Sequence, residues 1–155
     1  MKKFIALAAF VVFGTVSGFS QFKFGAGANL ILDGSFFGVG AKAHNTFSED
    51  FAGQASFHYY FESGVTVWTM DLDVHYSGFE IGDVESFSLT PFAGINIFNV
   101  SADTGLGFEV SSSSTNLNLG MNGTMPLTES LDLYIEPKII IGNGGSFAIA
   151  AGVYF

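Results

Sequence analysis

The chain has 155 residues, enough for one domain, and contains no cysteine, which excludes disulfides and thiolate chemistry. Its 14 Asp and Glu outnumber five Lys, so it lacks the basic surface that nucleic acid requires. Hydrophobic residues make up 48% of the chain, yet after residue 17 no apolar run approaches the roughly 20 residues of a membrane helix. High apolar content without long apolar runs is typical of alternating transmembrane strands.

Residues 1–20 have the organisation of a secretory signal peptide. Two lysines give a positive start, residues 4–16 form a short apolar stretch, and Gly18 and Ser20 supply small residues for cleavage. A retained membrane anchor is the alternative, but small residues follow the short apolar stretch directly. We predict cleavage after Ser20, which leaves one domain over residues 21–155. Losing the two lysines moves the formal charge from −9 to −11, three Lys against the same 14 acids.

Apolar residues then alternate with polar or small ones, which predicts a first strand over about 22–32. Asp33-Gly34 is a two-residue hairpin signal, because both positions tolerate positive φ. A second strand follows over about 36–44. Polar residues 45–50 lead to a third strand, and residues 62–64 form a turn to a fourth.

The fourth predicted strand separates its two faces most cleanly. A helix does not fit, because a period of 3.6 would mix the apolar and polar sets. The apolar face carries Trp68, Met70, Leu72, Val74 and Tyr76, and the polar face carries Thr69, Asp71, Asp73 and His75.

Residues 77–85 are acidic and contain glycine, so we predict a loop before a fifth strand over about 86–99. Pro91 has no backbone N–H, which predicts a bulge or the first turn of the pairing there. Residues 101–114 are the longest irregular stretch and end in four serines, so they are also predicted as a loop. The last three predicted strands are about 115–124, 131–141 and 147–155, with turns at 126–130 and 143–144.

The chain ends on an apolar strand with a terminal aromatic residue. Such an end is a liability in a soluble protein, because a frayed edge pairs with other chains. A strand that closes a barrel inside a bilayer avoids this, so we expect it to pair with the first strand and to turn Ala150 and Gly152 towards the lumen. The face expected to meet lipid consists of Phe147, Ile149, Ala151, Val153 and Phe155.

The apolar face of the whole sheet is predicted to point outward. Its many large side chains would overfill the lumen of an eight-stranded barrel. The opposite face is rich in Gly and Asn, with fewer charges than the quarter or so of a water-facing surface. A soluble periplasmic lipocalin-like barrel, with the faces reversed, is the alternative. The predicted polar network of the lumen consists of Lys23, Lys42, His58, Asp71, Asp73, His75, Glu136 and Lys138.

Within this network we expect Lys42 to pair with Asp71 or Asp73. Glu136 would pair with Lys138. Buried charges are normally paired, which favours such a network over a divalent cation held by the carboxylates, His75 and His58.

From Gln21 to Phe155 the chain resembles the small OmpA/OmpX-type outer-membrane β-barrels. The resemblance rests on the signal peptide, the strand count, the alternation, the terminal aromatic pattern and the stretches 89–96 and 116–123. It implies an all-β fold, an eight-stranded antiparallel up-and-down transmembrane β-barrel in the outer membrane, inserted by the barrel-assembly machinery. Outer-membrane lipid and lipopolysaccharide would surround it. With both termini in the periplasm, the outward connections would be 33–35, 62–64, 101–114 and 142–145.

We expect a non-enzymatic protein with a filled lumen, no cofactor and a role in envelope integrity or surface interaction, carried mainly by residues 101–114. The external partner is not identified by the sequence. A narrow pore or a barrel that binds a small or apolar ligand is the alternative, since inward glycines leave space.

Two further groups are candidate sites. His75-Tyr76-Ser77 resembles the His-x-Ser of lipid A deacylases, with Glu80 or Glu85 as a third member. This group would lie at the periplasmic rim, whereas lipid A occupies the outer leaflet, so we favour a chance match. Glu80, Asp83 and Glu85 lack the regular spacing of an EF-hand and are interpreted as a solvated loop.

Overall fold

The structure is a computed structural model. The predicted signal peptide, the acidic cluster at 80–85 and the predicted 143–144 turn lie outside the residues that it describes. No helix of the described residues is long and apolar enough to cross a membrane. The described residues are 21–77, 87–103, 105, 109–142 and 145–155.

Eight antiparallel strands form a closed barrel in which each strand pairs with the next along the chain and the last pairs with the first. This confirms the predicted strand number and the up-and-down order. The strands are β1 (Gln21–Ile31), β2 (Phe36–Thr46), β3 (Phe51–Tyr60), β4 (Val65–Tyr76), β5 (Ser88–Asp103), β6 (Glu109–Thr128), β7 (Leu131–Ile141) and β8 (Ser146–Tyr154).

The β1–β8 seam closes the barrel, and its pairing runs from Gly25 opposite Tyr154 to Ile31 opposite Ala148. Beyond β8, the N–H of Phe155 donates to the carbonyl oxygen of Phe24 (2.8 Å), and the N–H of Phe24 donates back (3.2 Å). The Phe155 side chain is 62% exposed. The last residue therefore extends the seam through its backbone, while its ring points away from the lumen.

The predicted loop at 101–114 is wrong, because β5 continues to Asp103 and β6 begins at Glu109. The serine run has weak strand preference, but cross-strand pairing with β5 overrides local preference.

Of the two alternatives predicted for Pro91, the bulge is wrong and a position at the start of the pairing is confirmed. Pro91 lies opposite Met121 in an unbroken register, and the register shift lies between Pro126 and Thr128. Pairing of β5 with β4 begins only at Phe92, so Pro91 lies at the end of that ladder. A missing N–H is tolerated at such a position.

Apolar side chains cover the outside of the barrel, and polar ones fill the inside. Because side chains alternate along a strand, each strand contributes to both surfaces. This arrangement is the reverse of a lipocalin-like barrel and is that of a membrane barrel. Exposed apolar residues from all eight strands include Phe24, Phe37, Phe57, Leu72, Ile95, Leu119, Ile139 and Phe147.

Candidate functional site in the barrel lumen

The lumen is divided into layers along the barrel axis. The terminal end of the barrel is the end that carries Gln21 and Phe155, and the far end carries the β1–β2, β3–β4, β5–β6 and β7–β8 connections. An apolar cluster fills the far end, two ion pairs cross the middle, and histidines with aromatic rings lie towards the terminal end.

The far end of the lumen is closed by apolar side chains that sequence reasoning did not identify. Ile31, Tyr60, Val67, Ile140 and Ala148 are buried together. Four partly buried side chains pack against them: Phe36, Val65, Phe98 and Val100.

Asp71 is the centre of the first buried network. Its Oδ2 accepts a hydrogen bond from Lys138 Nζ (2.6 Å) and one from Ser56 Oγ (3.3 Å). Its Oδ1 accepts from Asn96 Nδ2 (2.6 Å) and Asn118 Nδ2 (3.0 Å). Asp71 has no exposed surface, so these four donors replace the hydration that its charge would otherwise require.

Glu136 is the centre of the second network. It pairs with Lys42, whose ammonium also lies 3.8 Å from the centre of the Tyr134 ring. Glu136 Oε1 accepts from Gln54 Nε2 (3.1 Å) and lies 3.2 Å from the Tyr154 hydroxyl. Lys42 and Glu136 come from strands that are not neighbours in the sheet, so the pair reaches across the lumen.

The expected pairing within the lumen is wrong in detail. Lys42 pairs with Glu136 and Lys138 pairs with Asp71, the reverse of the expected partners. The reason is that lumen contacts depend on how the strands are staggered around the barrel, which alternation alone does not give.

The structure places seven of the eight predicted network residues in the buried lumen. Lys23 is the exception: its side chain is 46% exposed and pairs with Asp132 at 2.6 Å near the terminal end. Asp73 accepts a hydrogen bond from Asn118 (3.1 Å), and His58 Nδ1 lies 3.6 Å from Asp71 Oδ2.

Sequence reasoning missed the amides and hydroxyls that complete the network. An available signal was the alternation of Asn with Leu in β6, since an inward Asn among outward Leu residues can only bond within the lumen. The missed residues are Gln54, Ser56, Asn96, Asn118, Asn122 and Tyr154.

The two alternative sites that include β4 residues, the divalent-cation site and the His-x-Ser group, are not assembled. Within the described part of the chain no group of three His, Asp or Glu side chains is placed to hold a metal ion. Asp71 and Glu136 are instead occupied by lysines. Neither ring nitrogen of His75 has a hydrogen-bond partner, so His75 and Ser77 are not joined as a nucleophile and its base.

Inward glycines provide the space for the large lumen side chains. Gly25 lies opposite Lys42 on one side and Tyr154 on the other, and a Cβ there would lie 2.9 Å from each side chain. Gly120 lies opposite Phe92 and Lys138, and a Cβ there would lie 2.5 Å from the Phe92 ring and 2.9 Å from the Lys138 side chain. These two glycines therefore accommodate neighbouring side chains and do not leave space for a ligand.

The β5–β6 hairpin projects beyond the apolar belt at the far end. β7 pairs with β6 only from Leu117 onward, so within the described residues Glu109–Asn116 has β5 on one side and no strand on the other. The outward side chains change from apolar to polar at the same level. Beyond Ile97 and Leu117 they are Asn99, Ser101, Asp103, Glu109, Ser111, Ser113 and Thr115.

No protein-family model matches the chain, and no curated protein matches its sequence. Among solved structures, the N-terminal β-barrel domain of Pseudomonas aeruginosa OprF is similar with a TM-score of 0.70 at 17% identity, over 88% of this chain and 98% of that chain. Neisserial surface protein A is similar with a TM-score of 0.58 at 17% identity, over 87% of this chain and 94% of that chain. Ail, the attachment invasion locus protein of Yersinia pestis, is similar with a TM-score of 0.54 at 18% identity, over 90% of this chain and 100% of that chain.

A de novo designed transmembrane β-barrel is similar as well, with a TM-score of 0.61 at 11% identity, over 90% of this chain and 97% of that chain. A fold that can be designed without an evolved role does not specify an activity. At identities of 11–18% these similarities show the fold alone. The chain therefore has the fold of the small eight-stranded outer-membrane β-barrels.

Proposed function

We propose that this chain is a non-enzymatic outer-membrane protein whose lumen is closed and whose β5–β6 hairpin contacts partners outside the cell. The observation that carries the proposal is the free edge of Glu109–Asn116, which projects beyond the apolar belt. An unpaired strand edge offers backbone donors and acceptors to an extended segment of another protein.

The lumen supports a structural role better than a pore. Lys42 with Glu136 and Lys138 with Asp71 cross its middle, and the apolar cluster around Val67 fills its far end. Eight strands leave an interior just wide enough for side chains. The ion pairs tie strands together across the lumen, which favours a contribution to envelope integrity.

The similar structures support a surface role without identifying a partner. One is a Neisserial surface protein and another is the attachment protein Ail, which has also been solved with the heparin analogue sucrose octasulfate. This chain has no Arg, and beyond the predicted signal peptide its lysines are Lys23 at the terminal end and two buried ones. Asp103 and Glu109 make the hairpin acidic, so we favour a neutral or basic protein segment over a sulfated glycan.

Planar-bilayer recording tests the closed lumen. We expect the refolded protein to give no stable channel under conditions in which a porin conducts, because ions would have to pass the charged layer and the apolar cluster. A reproducible long-lived open state would contradict the filled lumen and support the narrow-pore alternative.

Shortening the hairpin tests the surface role. Deleting residues 102–103 and 109–110 removes two residues from each strand, which preserves the alternation, leaves Ser101 opposite Ser111 and keeps Val100 against the apolar cluster. We expect cells producing this variant to lose attachment to host-cell monolayers and to retain the detergent resistance of cells with the intact protein. Heat-modifiable gel migration verifies that the barrel is folded and equally abundant. Unchanged attachment would exclude the hairpin as the contact surface.

A further inference from the structure

Three lumen side chains near the terminal end hold buried polar atoms that have no hydrogen-bond partner. They are His44 at Nδ1, His75 at both ring nitrogens, and Asn122 at Oδ1. His75 has no exposed surface. A buried polar group without a partner costs about 1–3 kcal/mol, so such groups rarely stay unsatisfied in native proteins. A bound cation that accepts nitrogen and oxygen donors would satisfy all three of these side chains.

The two imidazoles meet because the strand between them contributes only a small side chain at that level of the lumen. β3 lies between β2 and β4 and presents Ala52 to the lumen opposite His75. The ring centroids of His44 and His75 are 5.1 Å apart, with the planes at 85°. Phe92 stacks on the His75 ring at 4.9 Å.

Asn122 belongs to the same layer. Its Nδ2 donates to the Tyr154 hydroxyl (3.4 Å), and the Tyr154 ring lies 5.9 Å from that of His44. The amide nitrogen is therefore engaged and the amide oxygen is the free atom. The two imidazoles on β2 and β4 are in contact, and the Asn122 amide on β6 is linked to His44 through Tyr154.

Neutral imidazole is a preferred ligand of first-row divalent ions such as Cu²⁺, Ni²⁺ and Zn²⁺, whereas Ca²⁺ and Mg²⁺ require oxygen ligands. Nitrogen–metal bonds of about 2 Å bring the two ligand nitrogens to roughly 3–4 Å apart, which rings at this spacing can reach.

We propose that His44 and His75 bind one divalent transition-metal ion in the terminal third of the lumen, with the Asn122 amide oxygen beside it. This site is independent of the role proposed for the hairpin. It also differs from the carboxylate-based cation site considered from the sequence, because Asp71 and Glu136 are held by lysines. His44 is partly exposed and offers the route of entry from the terminal end.

Copper binding tests the proposal. The untagged, signal-free protein in nanodiscs is titrated with Cu²⁺, and paramagnetic resonance should show one ion per barrel with hyperfine coupling to two imidazole nitrogens. His44→Gln and His75→Gln should each weaken Cu²⁺ binding about tenfold or more. The matched control is His58→Gln, because His58 lies in the Asp71 network and should bind Cu²⁺ as the unchanged protein does.

Zinc binding to the unchanged protein gives a second measurement that does not depend on the folding of variants. Zn²⁺ should shift the imidazole nitrogen resonances of His44 and His75 and leave those of His58 in place. Absence of a stoichiometric Cu²⁺ signal, equal binding by the three variants, or Zn²⁺ shifts confined to His58 would each overturn the site.

Discussion

Replacing Asp71 by Asn should destabilise the barrel by about 3–5 kcal/mol, because it leaves the Lys138 ammonium buried without its counter-ion. The oxygen of the introduced amide can still accept from Asn96 and Asn118. Its nitrogen would then face Lys138 Nζ, which lies 2.6 Å from Oδ2 in the native pair, so a donor would meet a donor. Urea unfolding in detergent measures the loss, with the single tryptophan, Trp68, as the fluorescence probe.

The chain contains a matched control for this substitution. Asp132 and Lys23 form an ion pair of the same 2.6 Å length, but the Lys23 side chain is 46% exposed. Water compensates for a lost partner there, so Asp132→Asn should cost about 1 kcal/mol or less. A loss of about 1 kcal/mol or less for both Asp→Asn variants would show that the Asp71 network does not stabilise the barrel.

A double substitution separates the energetic contribution of the Asp71–Lys138 ion pair from that of the other hydrogen bonds to Asp71. Lys138→Met removes the ammonium that Asp71→Asn would strand, so the double variant should be more stable than Asp71→Asn alone. Residues in direct contact usually show coupling of about 0.5–3 kcal/mol in such cycles. A coupling near zero would mean that the cost of Asp71→Asn arises from its amide partners, not from Lys138.

The sequence predicts the wall of this barrel better than its contents. Alternation with a period of two determines which side chains share a face, and eight such segments with an aromatic end are enough for the closed sheet. The β1–β8 seam could be predicted because closure leaves the last strand only the first as a partner. The start of β6 could not, since its serine run is held in a strand by pairing with β5 and not by local preference.

Lumen contacts depend on information that a single strand does not contain. Lys42 lies on β2 and Glu136 on β7, with β1 and β8 between them, so their meeting depends on stagger around the whole barrel. The apolar closure of the far end was missed for a simpler reason. Ile140 lies inside the run Ile139-Ile-Ile141, and Val67 precedes Trp68, so neither stands out from its outward neighbours in an alternating pattern.

Closure of the barrel also depends on glycines at the seam, where Gly27 lies opposite Gly152. A Cβ at Gly152 would lie 2.6 Å from Gly27 Cα and 2.7 Å from the Tyr134 hydroxyl oxygen. Backbone is on one side and a buried ring on the other, so neither can move without opening the seam. Gly152→Ala should therefore cost about 1–3 kcal/mol, as overpacking does, and should reduce the heat-modifiable folded fraction.

Gly53 provides the matched control for Gly152→Ala. It is also a strand glycine, but a Cβ there would meet only the Phe47 ring at 3.5 Å, an ordinary contact. The Gly53→Ala variant should fold normally, and its free energy of unfolding should rise by about 0.5–1 kcal/mol because the unfolded chain has less conformational freedom. Adding Tyr134→Phe to Gly152→Ala removes the hydroxyl from one side of the clash and should restore part of the stability. If Gly152→Ala matches Gly53→Ala, the seam tolerates a methyl group, and closure of the barrel then depends on strand pairing without a requirement for glycine.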